Sequence, residues 1–406
     1  MEPKTQSKNA LVFIFVTVVL DTIGIGIIFP IMPDLLFDLG YKNISDAVIW
    51  AGLLSACYAL MQFLFSPVIG ILSDAFGRRK IILFALFAMC LDYLILGLSN
   101  AIWILFVGKL IAGITGSTIP TATAYLADIS SEKEKAKNFG LIGAAFGLGF
   151  IFGPLIGGVL GEISPRAPFF MSACLAGLNF AFGFFVLPES LDISKRRILK
   201  VKDINPFRLL TKLFSMKELR TIFLCIFLVQ LGNWVYPSVW SFWAKANFLW
   251  TTSMIGVSLA AYGVGIAFVQ GVLIRHKKIE DLGPRWVILF CLLVGALALM
   301  GFGLISVGWL VFALIPFAAL SEMFDPTVKG YLSNQVHESK QGELQGILFS
   351  IRGVTTFLSP ILMTSIFRIF SNEKGDLPYL PGMPFIFAAV LLLISIGPLM
   401  KRIKVN

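Results

Sequence analysis

Residues 70–80, Gly70-Ile-Leu-Ser-Asp-Ala-Phe-Gly-Arg-Arg-Lys80, make a short charged turn between two long apolar runs. Such a turn reads as a hairpin joining two membrane spans on the side that retains positive charge. The remainder of the 406-residue chain agrees. It is 57% hydrophobic and 14% charged, against about 25% charged in soluble domains, and its mean hydropathy is +0.86. About 20 apolar residues suffice to cross a bilayer. Twelve such runs are present, at 10–33, 47–72, 80–99, 102–127, 139–160, 167–187, 219–243, 252–274, 286–306, 308–331, 344–366 and 383–400. Lipid offers no partner to backbone N–H and C=O groups, so runs this long read as helices. The fold class is all-α integral membrane, with twelve transmembrane helices.

Placing the N-terminus in the cytoplasm puts 25 of the 33 Lys and Arg on that side; Lys42, Arg166, Lys245, Arg368 and Lys374 face the other, and three lie in spans. Both termini are therefore expected in the cytoplasm. The net charge of +10 then follows from topology and anionic lipid, with no nucleic-acid partner implied. The first run carries Asp21 and lacks a small-residue cleavage site, so it is read as a retained span and not a leader. Cys57, Cys90, Cys174, Cys225 and Cys291 lie in spans without paired spacing, which indicates neither disulfides nor a metal, and no cofactor is implied.

An internal repeat organises the spans. An offset of 206 residues carries Trp103 onto Trp309, Pro120 onto Pro326, Gly140 onto Gly346 and Pro154 onto Pro360, and Gly77 and Arg79 onto Gly283 and Arg285. Asp281-Leu-Gly-Pro-Arg-Trp286 is thus a worn copy of the opening hairpin. The division expected is residues 1–187 as one six-helix bundle, 188–218 as a cytoplasmic linker with a surface helix at 204–217, and 219–406 as a second bundle. Six helices repeated in parallel, with both hairpins on one side, is the layout of the major facilitator fold.

Gly70 to Lys80 resembles the major facilitator signature between spans two and three. Several stretches narrow the resemblance to the tetracycline/proton antiporters: Leu20-Asp-Thr-Ile-Gly-Ile-Gly-Ile-Ile-Phe-Pro30, Ala112-Gly-Ile-Thr-Gly116, Asn138-Phe-Gly140, Gly153-Pro-Leu-Ile-Gly-Gly158, Ala167-Pro-Phe-Phe170, Leu187-Pro-Glu-Ser190, Ser333-Asn-Gln-Val336 and Gln341-Gly-Glu-Leu-Gln-Gly346. The likeness covers nearly the whole chain and is strongest in the first half. It implies proton-coupled efflux from the bacterial inner membrane.

Candidate site residues follow in chain order. Asp21 stands mid-span, where a carboxylate costs about 3 kcal/mol on insertion scales and so faces a cavity or a partner. A proton to exchange is the functional reading, and a structural pair with another helix is the plain one. Gln62 can serve a ligand or an interhelical hydrogen bond. In the hairpin, Gly70 and Gly77 permit tight backbone, Asp74 accepts, and Arg78 and Arg79 offer forks to carboxylates; the resemblance makes this a cytoplasmic latch in which Asp74 clasps the far half. Asp92 in Leu91-Asp-Tyr93 is a second mid-membrane acid. Lys109 occupies a position where the resembled family usually carries Arg, and the resemblance assigns it proton transfer near Asp21. Asp128, with Glu132 beyond, reads as a gate or capping acid. Gly149, Gly153, Gly157 and Gly161 recur every fourth residue beside Pro154, a smooth face that matches the antiporter signature and is richer in glycine than packing needs.

In the second half, Ile266 and Val294 stand where the resembled pumps carry a histidine and an aspartate. Glu322, Asp325 and Lys329, at spacings of three and four, are expected on one helical face. With Arg352 they form either a neutralised structural network or a substrate-reading one. Span seven is aromatic: Tyr236, Trp240 and Trp243 fit an interfacial belt, whereas Gln230, Asn233 and Trp234 are deep enough to line a cavity. The leading function is export of a small amphiphilic compound in exchange for protons, by alternating access, from a monomer in the lipid bilayer. Lys109 and Arg352 leave a proton-coupled carrier of a carboxylate-bearing metabolite or siderophore as the alternative. An intramembrane enzyme has no nucleophile motif or Cys/His spacing to support it, since the two histidines, His276 and His337, fall in loops.

Overall fold

A computed structural model of the chain describes residues 3–116, 118–131, 134–196, 219–337, 340–373 and 375–403. The expected surface helix at 204–217, Glu132 and the basic residues Lys133, Lys374 and Lys404 lie outside the described residues. Twelve helices among the described residues are long and apolar enough to cross a membrane, and no strand is found among them. The spans run Ala10–Asp38, Ile44–Phe76, Arg78–Leu98, Ile102–Ile129, Asn138–Ile163, Ala167–Val186, Arg220–Phe248, Thr252–Arg275, Asp281–Leu304, Trp309–Gln335, Gln341–Phe370 and Met383–Arg402. They are referred to below as spans one to twelve. At about 1.5 Å per residue, even the 20-residue spans reach about 30 Å, the thickness of the hydrocarbon layer.

The chain divides into two compact units: Met1–Leu39, Cys57–Asn205 and Thr252–Ala260 form one, and Gly40–Ala56, Pro206–Thr251 and Ala261–Asn406 the other. In the first, span five lies along span one at backbone distance. A Cβ on Gly149 would strike Thr22, one on Gly153 the Ile23 carbonyl and Gly26, one on Gly157 the backbone of Ile27, and one on Gly161 the Ile31 side chain. Packing therefore uses all four glycines of the stripe, and the excess over packing expected from the sequence is absent. Gly70, by contrast, has open space where a Cβ would sit, so tight backbone approach does not explain it.

In the second unit the core is aromatic. Trp240 and Trp243 are buried against Phe302 and Phe385, with centroids 5.1 Å apart for Trp240–Phe302 and 4.9 Å for Trp243–Phe385. These tryptophans are not an interfacial belt. That position belongs to Trp103 and Trp309, each 67% exposed at the start of spans four and ten and related by the 206-residue offset.

Both hairpins turn on a glycine that no other residue replaces freely. Gly77 has φ 102° and ψ 150°, and Gly283 has φ 74° and ψ 159°. This region is essentially reserved for glycine, because a Cβ collides with the flanking carbonyls. The worn second hairpin has kept the one feature its backbone requires. Gly283 has open space around it, whereas a Cβ on Gly77 would also overlap the Glu189 carboxylate. Gly283→Ala is expected to cost about 1–3 kcal/mol from backbone strain alone, and Gly77→Ala more. Thermal melting of the purified variants should rank them in that order; equal melting points would contradict the account.

Candidate functional site

Spans four and ten are each interrupted inside the membrane, and proline accounts for both breaks. Span four stops at Thr115 and resumes at Thr118, and span ten stops at Ser321 and resumes at Phe324. Pro120 and Pro326 each lack the N–H that would bond the carbonyl four residues earlier, and the ring crowds that carbonyl. The freed carbonyls belong to Gly116 and Glu322, which the repeat offset also equates. Each one is met by a glutamine amide. Gln62 of span two donates to Gly116 O at 2.9 Å, and Gln270 of span eight to Glu322 O at 3.4 Å. Gln62 also donates to the Tyr58 hydroxyl at 3.1 Å. Of the two roles open to Gln62 in the sequence, the interhelical hydrogen bond is the one formed here.

Around the first break lie the acids and the base of the first half. Asp92 is 2% exposed, and its Oδ1 has no hydrogen-bond partner. It faces Gly108, where a Cβ would crowd that oxygen. Next to Gly108, Lys109 is buried and holds its ammonium 5.9 Å from the centre of the Tyr58 ring, within cation–π range. Asp92 and Lys109 interact electrostatically, and Asp21 and Asp92 both act on Tyr58 and Tyr93. The Tyr93 hydroxyl abuts Gly24, three residues on from Asp21, in the space a Cβ would fill. Asp21 accepts no hydrogen bond from the described residues. Spans one to four thus bring two carboxylates, one ammonium and two phenols together in an apolar bundle, an arrangement able to take up and pass a proton. Tyr58 and Tyr93 escaped the sequence reading, although Tyr93 adjoins Asp92 and Tyr58 lies one turn before Gln62.

The hairpin at 70–80 is a second cluster, closed by its own unit. Arg78 pairs with Asp74 at 2.5 Å and with Asp128 at 3.2 Å, and donates to Ser73 at 3.1 Å. Asp128 also accepts from Ser190 at 3.0 Å. Glu189 takes the backbone N–H of Arg78 at 2.8 Å, capping span three, whose N-terminus has no side-chain cap of its own. Tyr125 donates to the Pro188 carbonyl at 2.9 Å. The Pro188-Glu-Ser stretch, read in the sequence as part of a topology-bearing linker, is structurally part of the hairpin.

The charged residues of the second half hold different partners. Glu322 sits at the break of span ten, in a turn of i→i+3 hydrogen bonds. Asp325 pairs with Lys329 at 2.5 Å, whereas Glu322 accepts from the Tyr262 hydroxyl at 2.7 Å, and the Tyr262 ring lies 5.0 Å from Tyr236. Arg352 is exposed and acts electrostatically on Glu322. In span seven the helix is interrupted at Trp234. Gln230 accepts from Thr355 at 3.4 Å, while Asn233 and Trp234 are partly exposed. No group of three or more metal-ligating side chains occurs among the described residues.

Comparison with known proteins matches residues 14–221 and 222–404 to the Major Facilitator Superfamily, two segments that meet between the halves of the repeat. The class C tetracycline resistance protein of Escherichia coli is 36% identical over 93% of this chain and 94% of its own length. The class B protein of Escherichia coli is 34% identical over 96% and 95%, and multidrug resistance protein 2 of Bacillus subtilis 28% identical over 97% and 94%. Among solved structures, a bacterial homologue of the lysosomal transporter Spinster superposes with a TM-score of 0.79 at 15% identity, covering 98% of this chain and 97% of that one. That last likeness concerns the fold alone.

Gln62→Ala should leave the Gly116 carbonyl unsatisfied and cost about 1–3 kcal/mol. In a Pro120→Ala background the restored N–H can reach that carbonyl, so the same substitution should cost little. A double-mutant cycle on melting temperature measures this, and an equal cost in both backgrounds would contradict the role assigned to Gln62.

Proposed function

As the chain belongs to the Major Facilitator Superfamily, a family of multi-pass membrane transporters, we propose that it exports a small amphiphilic compound of the tetracycline or multidrug kind in exchange for protons. Alternating access would run between two six-helix bundles, residues 1–187 and 219–406, joined by 188–218. The identity of 36% with a tetracycline resistance protein over nearly the full length supports the drug class. In this reading the protein is a monomer in the bacterial inner membrane, both termini lie in the cytoplasm, and the cargo leaves chemically unchanged.

The observation that carries the proton role is the Asp92 oxygen left without a partner among buried charged and phenolic groups in spans one to four. A proton arriving at Asp92 removes a negative charge from the field that holds Lys109, and one arriving at Asp21 removes the charge that acts on Tyr58 and Tyr93; departure restores each charge. The arrangement of spans one to four is thereby linked to proton occupancy. Gln230, Asn233, Trp234, Glu322, Asp325 and Arg352 are assigned to the cargo. Gln62 supports the site through the Gly116 carbonyl and keeps its amide oxygen for a ligand. Gating is assigned to Gly70, Asp74, Gly77, Arg78, Arg79 and Asp128, and to the span-one contact of Gly149, Gly153, Pro154 and Gly157.

Asp21→Asn tests the reading in sealed vesicles carrying an imposed pH difference. Tetracycline uptake driven by that difference should fall at least tenfold, while tetracycline exchange at equal pH on both sides persists. Unchanged proton-driven uptake would remove Asp21 from the coupling path. An organic anion probe in the same vesicles separates the alternative, since anion transport without tetracycline transport would replace the drug class by a carboxylate-bearing one.

A further inference from the structure

A groove of about 430 Å³ opens between spans three and six, lined by Phe84 and Phe87 from one and Phe180 and Phe184 from the other, with Arg79 and Lys80 at its basic end. Phe84 is 55% and Phe184 53% exposed, and in a membrane-spanning chain such rings face acyl chains. No carboxylate among the described residues neutralises the two cations beside them. Arg78, their neighbour, is taken up by Asp74 and Asp128, and Glu189 takes the backbone N–H of Arg78. Neither Arg79 nor Lys80 pairs with a carboxylate among the described residues. Arg79 donates one Nη2 bond to the Phe184 carbonyl at 2.6 Å and lies 5.8 Å from the centre of the Phe184 ring, which fixes its guanidinium at the mouth of the groove; its Nε has no partner.

We propose that this groove holds one anionic phospholipid, its phosphate between Arg79 and Lys80 and an acyl chain along the phenylalanines. Span three begins at Arg78, so the pair sits at the headgroup level, where a guanidinium offers phosphate a two-pronged bond and an exposed ammonium adds charge. The repeat supplies an internal control. At the equivalent place in the second half, Arg285 donates to the Ile403 carbonyl at 2.8 Å, and Phe290 keeps the place of Phe84, but Trp286 replaces Lys80, Leu293 replaces Phe87, and span twelve carries no phenylalanine after Phe387. One cation and one phenylalanine make a poorer site, so one lipid per chain is expected. The inference does not depend on what the protein transports.

The full-length protein, purified and mixed with phosphatidylglycerol or phosphatidylcholine of matched chains, is examined by native mass spectrometry. One phosphatidylglycerol should be retained under detergent washing that removes phosphatidylcholine, and Lys80→Gln should lower that retention at least threefold, while Lys80→Arg keeps it. Phe87→p-benzoylphenylalanine, irradiated in vesicles with equal amounts of both lipids, should capture mainly phosphatidylglycerol. Equal retention or capture of the two lipids would overturn the proposal, as would a phosphatidylglycerol preference that survives Lys80→Gln undiminished.

Discussion

A carbonyl deprived of its helical partner inside a bilayer must find another donor, because hydrocarbon offers none. Pro120 and Pro326 create that need at Gly116 and Glu322, and Gln62 and Gln270 meet it from a neighbouring span. Two short helices can then stand where one continuous helix would otherwise pass. This constraint brings Tyr58, Gln62 and Lys109 together in the first half and presents Glu322 to Tyr262 in the second.

The two halves use the same backbone device with different side chains. At the first break the interrupted residue is a glycine, and the ionisable groups come from neighbouring helices. At the second the interrupted residue itself carries a carboxylate. The hairpins diverge in a comparable way: Gly77 and Gly283 share a conformation that only glycine holds without strain, and Arg79 and Arg285 each bond a backbone carbonyl, while the carboxylate-bound Arg78 is replaced by Pro284. Backbone geometry and one arginine have been kept in both copies, and the carboxylate-bound arginine only in the first.

How far the chain was legible depended on the range of the physics involved. Span number and helical class follow from hydropathy, which every residue of a span reports, so twelve spans emerged with ends within a few residues in most cases. Side-chain pairing is decided locally and was read less well. Spacing related Glu322, Asp325 and Lys329 but did not reveal the break between Ser321 and Phe324, for which Pro326 was the signal, or the Tyr262 hydroxyl that meets Glu322. Trp240 and Trp243 suggested an interface by residue type, yet ring partners from spans nine and twelve bury them, and no sequence period reveals such partners. Glu189 was hidden because its role, capping a helix more than a hundred residues away, leaves no trace in spacing. The glycine stripe of span five was seen correctly as a stripe, but its partner, the backbone of span one, was not.

The central claim is that acids held in spans one to four tie movement of the cargo to movement of protons. It is tested most directly by the reversal point of transport. In vesicles of the purified protein, with tetracycline as cargo, the cargo gradient at which net flux vanishes is measured at a series of imposed pH differences. The account predicts that this gradient shifts in step with the pH difference; a reversal point that stays at equal cargo concentrations, whatever the pH difference, would contradict it.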